Sequence, residues 1–217
     1  MTTTPGAPPS YTTHELYALS EPFLRTPSSQ GPGAVFGFPG PEPDPALYAA
    51  GLSTLALRNR LSPGPGPRTV DPGTAVIARL LETSPVWLRL YLATDGGRQA
   101  IRIALGPQGH AIFTQDGTGS HSVDLLASTG NLADDLAEIL GAVIRPLAAR
   151  GDAVLLASSP GDDGERPVNL RITSGMFSLA AGPVNADGRL SDVAIEEAGA
   201  AARAMASRLL DPVPAGA

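Results

Sequence analysis

Residues 85–126 read PVWLRLYLATDGGRQAIRIALGPQGHAIFTQDGTGSHSVDLL, and this stretch decides the fold. From Val86 to Ala93 apolar and mixed positions alternate. Leu88, Leu90 and Leu92 point one way, and Trp87, Arg89 and Tyr91 point the other, as a strand with one buried face requires. Asp95-Gly96-Gly97 then signals a hairpin, because glycine supplies the positive φ angles that tight primed turns need. Arg98 to Leu105 repeats the alternation, with Ile101, Ile103 and Leu105 on one face and Arg102 on the other. Gly106-Pro107-Gln108-Gly109 turns the chain into Ala111 to Gln115, and Asp116 to Ser120 turns it into Ser122 to Leu126. The stretch is therefore an antiparallel meander of four strands with one apolar face, which helices on either side must cover.

Working outward, two helices precede the meander. Pro45 to Leu61 carries Leu47, Leu55 and Leu61, with Arg58 and Arg60 near its C-terminal end, where the helix dipole favours cations. Asp71-Pro72 opens the second: Asp71 caps it, Pro72 takes the first helical position, and Val76, Ile77, Leu80 and Leu81 form its stripe. After the meander, Asn131 to Ile144 has a capping Asn, Asp134 and Asp135 in its first turn, and Leu132, Leu136, Ile139, Leu140 and Val143 at helical spacing. Pro146 and Gly151 close it. Ala153 to Ala157 is a short apolar strand, and residues 158–167 form a polar, mobile loop. Val168 to Ile172 and Met176 to Ala181 are further strands. Asn185 to Gly188 marks a second hairpin leading to Arg189–Ile195, and Glu196 to Leu210 is a closing helix with Met205, Leu209 and Leu210 buried.

The N-terminal part is less regular. Residues 1–10 have the composition of a disordered segment. Tyr11 to Leu24 reads equally as a short helix or as a strand added to the sheet edge. Residues 26–45 are a proline-rich connector whose one apolar island is Val35-Phe36-Gly37-Phe38. Its glycines (31, 33 and 37) follow no strand, so they make no nucleotide-binding loop. One α+β domain thus spans residues 11–211, followed by a tail at 212–217.

Composition excludes several chemistries. The chain of 217 residues has no cysteine, and all 15 of its basic residues are Arg. Thiol catalysis, disulfides, cysteine-ligated zinc and lysine Schiff bases are thereby ruled out. The net charge is −6, the wrong sign for a nucleic-acid partner. Neither a signal-peptide run nor an 18-residue apolar stretch is present, so a soluble, cytoplasmic protein without membrane insertion is expected.

Side chains that might carry chemistry are dispersed. His14, His110 and His121 lack partners at metal-ligand spacing and read as solvated turn residues. Ser120, His121 and Asp124 are too close in sequence for a triad, because neighbours on a strand face opposite ways. Asp134, Asp135 and Glu138 read as a solvated helix face, and Asp162, Asp163 and Glu165 as a flexible loop without the calcium-loop pattern. No catalytic, cofactor-binding or metal-binding residue is assigned. The candidate contact surface is Trp87, Arg89 and Tyr91 with the hairpin tip at Asp95 and Arg98, because Trp, Tyr and Arg are the residue types enriched at protein contacts.

Three passages carry a family likeness: LYAAGLSTLALRNRL followed by VIARLLETSPVWLRLYLA; RIALGPQGHAIFTQDG followed by NLADDLAEIL; and SGMFSLAAGPVNADGRLSDVAIEEAGAAARAMASRLL. In this order of apolar patterns the chain, from Leu47 to Leu210, resembles the EspG family of chaperones associated with ESX (type VII) secretion in actinobacteria. The resemblance implies a central antiparallel sheet flanked by two helical subdomains about a quasi-twofold. It also implies a non-enzymatic, cytoplasmic role in binding the apolar tip of a PE–PPE heterodimer and keeping it soluble for export. No specific contact residues transfer. The competing expectations are a small hydrolase using His110 or His121, and a non-catalytic adaptor domain.

Overall fold

The computed structural model describes residues 8–24, 31–39, 44–62, 69–161, 164–181 and 192–210. In chain order its elements are β1 (Ser10–Thr12), α1 (Thr13–Leu24), α2 (Pro32–Phe36), α3 (Pro45–Leu57), α4 (Pro72–Thr83), β2 (Val86–Thr94), β3 (Gly97–Gly106), β4 (Gly109–Gln115), β5 (Ser120–Leu126), α5 (Leu132–Arg150), β6 (Ala153–Gly161), β7 (Gly164–Thr173), β8 (Met176–Ala181), β9 (Asp192–Ile195) and α6 (Ala198–Leu210). The class is α+β. The expected hairpin at Asn185–Gly188, Asp162 and Asp163, and the tails at 1–7 and 211–217 lie outside the described residues.

The nine described strands form one antiparallel sheet in the order β1-β5-β4-β3-β2-β6-β7-β8-β9. The meander folds as its alternation dictates. Thr94 pairs with Gly97 across Asp95-Gly96, and Gly106 pairs with Gly109 across Pro107-Gln108. Gly97 has φ 138°, a value that strains any residue with a Cβ. Outward from the central β2–β6 pair, strands leave in chain order on both sides, with β1 added beyond β5 at one edge. Each four-strand run ends in a helix, α5 after β5 and α6 after β9.

The two faces are covered differently. On one face α5 and α6 pack on Leu88, Leu90 and Leu92 of β2, Ile101, Ile103 and Leu105 of β3, and Leu155, Leu170 and Leu179 of the C-terminal strands. On the other face the N-terminal helices pack on Trp87, Ala104, Ala111, Phe113 and Val123, all in the β2–β5 half.

Side-chain caps set the helix starts. Asp44 accepts from the amides of Ala46 and Leu47, Asp71 from Gly73 and Thr74, and Asn131 from Ala133 and Asp134, satisfying donors that the first turn leaves unpaired.

Several expectations need correction. Tyr11 to Leu24 is both alternatives in succession, a three-residue strand on β5 and then a helix. The edge contact begins inside the segment read as disordered, since the Pro9 carbonyl accepts from the Val123 amide. α3 stops at Leu57, and Leu61 instead makes a bridge with Val70. Val76 faces solvent, and Thr74 takes its place on the buried stripe of α4. α5 runs through Pro146 to Arg150. Pro146 lies on its exposed side while Leu147 remains in the core, so burial of the next turn outweighs one lost hydrogen bond. The loop read at 158–167 is instead the continuation of β6 and β7, paired out to Gly161 and Gly164, because a backbone ladder does not need apolar side chains.

Candidate functional site

The face bearing Trp87, Arg89 and Tyr91 is divided by α2, the apolar island of the proline-rich connector. Phe36 enters edge-on against Trp87 and Phe113, with ring centroids 5.9 and 5.2 Å away, and stacks on Phe38 at 5.4 Å. Trp87 is 1% exposed, and its Nε1 donates to the Ser84 carbonyl at 3.1 Å. Arg89 donates to the Ala34 carbonyl, and Arg102 Nε donates to the Val35 carbonyl at 2.9 Å. Two guanidinium groups thus hold carbonyls at the end of a short helix, where such groups lack helical partners. This corrects the expectation of one open Trp–Arg–Tyr surface: Trp87 is core, Arg89 is half-buried, and of the three only Tyr91, 45% exposed, faces solvent.

Arg89 and Arg102 are direct cross-strand neighbours. Burial of the Arg102 guanidinium lowers its pKa; Tyr91, whose ring lies 5.2 Å away, opposes the shift, and Arg89 adds to it.

Asp95 and Arg98 are exposed at the end of the β2–β3 hairpin. They line a hollow of about 620 Å³, together with Asp116, Arg150 and Asp152. Asp116 is a turn organiser: Oδ1 accepts from the amides of Thr118 and Ser120, and the Thr118 hydroxyl lowers its pKa most. Among the described residues, no three His, Asp or Glu side chains group as a metal would need.

The histidines are not solvated turn residues. His110 is 1% exposed, and its Nε2 lies 2.7 Å from Oδ2 of the buried Asp135. Asp135 also accepts from the Ser128 hydroxyl and from the amide and hydroxyl of Thr129. Asp135 is therefore not part of a solvated face. His121 is equally buried, stacked edge-on against Phe36 at 5.4 Å, with Nε2 3.2 Å from Thr13 Oγ1. Burial and then Arg102 push its pKa down to about 4, against Asp116. His110 lies on the α5 side of the sheet and His121 on the α2 side, so the hydrolase expectation finds no convergence at these residues. Ser122 and Asp124, even-numbered on the same strand, face away from His121.

Beyond α2, no described helix covers the same sheet face. Register places Tyr91 beside Leu156, then Asn169, then Ala180, in a row across β2, β6, β7 and β8. Leu156 is 44% exposed, and neither it nor Tyr91 belongs to either core. The described helices α1–α4 pack over β2–β5, and α5 and α6 pack on the opposite face.

No family model and no curated protein matches this chain. The site is therefore characterised by its geometry alone. Among the described residues, no helix is long and apolar enough to cross a membrane.

Sequence reasoning found Tyr91 but missed Leu156. Ala153 to Ala157 is apolar throughout, so it lacks the alternation that separates a covered face from an open one.

Proposed function

We propose that this protein is a non-enzymatic polypeptide-binding chaperone that grips its client on the open half of the sheet, and that the client is a PE–PPE-like heterodimer destined for type VII secretion. The observation that carries this reading is the exposed cross-strand pair Tyr91 and Leu156 on the nine-stranded sheet. Apolar sheet surface left open is characteristic of an interaction site, and a standard contact of roughly 1,600 Å² is enough to shield an apolar helical tip reversibly.

The likeness in the order of apolar patterns to the EspG family supports the secretion assignment. A quasi-twofold relating two halves, each of four strands and a helix, is the arrangement that the strand order outward from β2–β6 would produce. Asp95 and Arg98, at the hairpin end, border the same surface and belong to the proposed contact.

Co-expression with a PE–PPE-like pair from the genome that encodes this chain tests the proposal. The wild-type chain retains the pair through affinity and size-exclusion steps, and the Tyr91→Ala/Leu156→Ser variant loses it while keeping its circular dichroism spectrum. Failure of the wild-type chain to retain any such pair overturns the secretion reading. A stable homodimer through this face, seen by light scattering and abolished by the same double variant, would favour the adaptor alternative.

A further inference from the structure

The two edge strands of the sheet, β1 and β9, are finished differently. We propose that β9 is a strand-addition edge whose occupant is an extended polypeptide segment alternating apolar and basic residues. This site goes beyond the contact proposed above and does not depend on it.

At β1 the outward backbone groups are already taken. The Pro9 carbonyl faces β5 and accepts from the Val123 amide, so the groups of Ser10 and Thr12, which alternate with it, face away from the sheet. Arg58 and Arg60 donate to the Ser10 carbonyl at 3.0 and 2.6 Å, and the Thr12 amide donates to Glu15 Oε2 at 2.7 Å. Side chains from α1 and from the chain just after α3 thereby close β1 to a further strand.

β9 has no such closure. It pairs with β8 residue for residue, from Asp192 opposite Ala180 to Ile195 opposite Phe177, without a bulge. It contains no Pro, Lys or Arg, the residues that commonly blunt an edge. Its outer amides and carbonyls meet no partner among the described residues. Donors and acceptors alternating at strand spacing are matched by one kind of ligand, another extended backbone.

The side chains of β9 specify that ligand further. Val193 and Ile195 stand on the α6 side of the sheet, since their cross-strand partners Leu179 and Phe177 belong to the core under α5 and α6. Val193 is nonetheless 55% exposed, because no described strand lies beyond it. An apolar residue placed beside it buries that surface.

On the other face Asp192 and Ala194 are exposed, and the exposed Glu196 and Glu197 follow at the end of the strand. None of these three carboxylates is ion-paired among the described residues, so basic side chains on the added strand meet free negative charge. A second copy pairing antiparallel through β9 would set Asp192 of one chain beside the Ile195–Glu196 end of the other. Like charge then meets like charge, which disfavours that occupant.

The test uses three fluorescein-labelled peptides of about six residues: alternating Val and Arg, alternating Val and Glu, and the Val/Arg peptide with every internal amide N-methylated. By fluorescence anisotropy the full chain binds the Val/Arg peptide in preference to the other two, because methylation removes the ladder donors and Glu reverses the charge. Hydrogen exchange of residues 192–195 slows on binding. Affinity falls roughly tenfold in the Asp192→Arg/Glu196→Arg variant and is unchanged in Tyr91→Ala/Leu156→Ser, which leaves β9 intact. No binding of the Val/Arg peptide, equal binding of the N-methylated one, or full affinity in the charge-reversed variant overturns the proposal. Loss of affinity in Tyr91→Ala/Leu156→Ser overturns the assignment to β9, and a dimer seen by light scattering and abolished by Val193→Arg gives the edge to a second copy instead.

Discussion

His110 Nε2 and Asp135 Oδ2 lie 2.7 Å apart, tying the start of β4 to the first turn of α5 where both side chains are buried. Asp135 is the hub, since Ser128 and Thr129 donate to it as well. Asp135→Ala leaves these donors without an acceptor and lowers the thermal midpoint clearly more than Asp134→Ala one residue earlier, which affects only an exposed contact with Asn131. Differential scanning fluorimetry of the two variants checks the ordering.

The same carboxylate sets the acid limit. The Thr129 hydroxyl foremost, then His110 and Ser128, hold its pKa down to about 2 against the effect of burial, from an ordinary value of 3.8. A folded-state pKa below the unfolded one gives stability that is complete above the unfolded value and is lost as pH falls through the folded one. Asp135 therefore contributes stability that disappears between about pH 4 and pH 2, and acid unfolding of Asp135→Asn, followed by circular dichroism, shows a shallower decline there.

His121 acts in a higher window, again with stability lost on acidification. Burial foremost lowers its pKa from 6.5 to about 4, so between these values the unfolded chain binds a proton that the folded chain refuses. Stability falls as pH drops across that interval, by up to about 3 kcal/mol. Urea denaturation at several pH values shows this slope in the wild type and a flatter one in His121→Gln.

Phe36 is the plug that closes the covered half of the sheet, touching Trp87, Phe113, Phe38 and His121. Phe36→Ala costs about 2–3 kcal/mol. The emission of Trp87, the only tryptophan, shifts to longer wavelength as water reaches it.

Gly51 is where α3 crosses α1. A Cβ there would overlap the His14 carbonyl oxygen and lie 2.7 Å from the Ala18 Cβ. Gly51→Ala separates the helices at a cost of about 1–3 kcal/mol, whereas Leu57→Ala, at a position 84% exposed on the same helix, changes stability by less than about 0.5 kcal/mol. Paired denaturation curves distinguish the two.

Trp87 and Tyr91 stand on one strand face with opposite roles. Trp87→Ala removes a fully buried ring and costs about 3 kcal/mol or more, whereas Tyr91→Ala, in solvent, costs less than about 1 kcal/mol. Chemical denaturation of both shows which variant is fit for binding experiments.

What the amino-acid order determined by itself was local. The turns at Asp95-Gly96 and Pro107-Gln108, the caps Asp44, Asp71 and Asn131, and the inward leucines and isoleucines of β2 and β3 all follow from backbone angles, capping groups or alternation within a few residues. Tertiary structure decided which of the remaining positions met water. Trp87 is buried because Phe36 reaches it from a separate segment, His110 because Asp135 lies 25 residues onward, and Leu156 is open because the N-terminal helices cover only half of one face. The physical reason is that a strand's own pattern fixes which side chains share a face, whereas the covering of that face is made by segments distant in the chain.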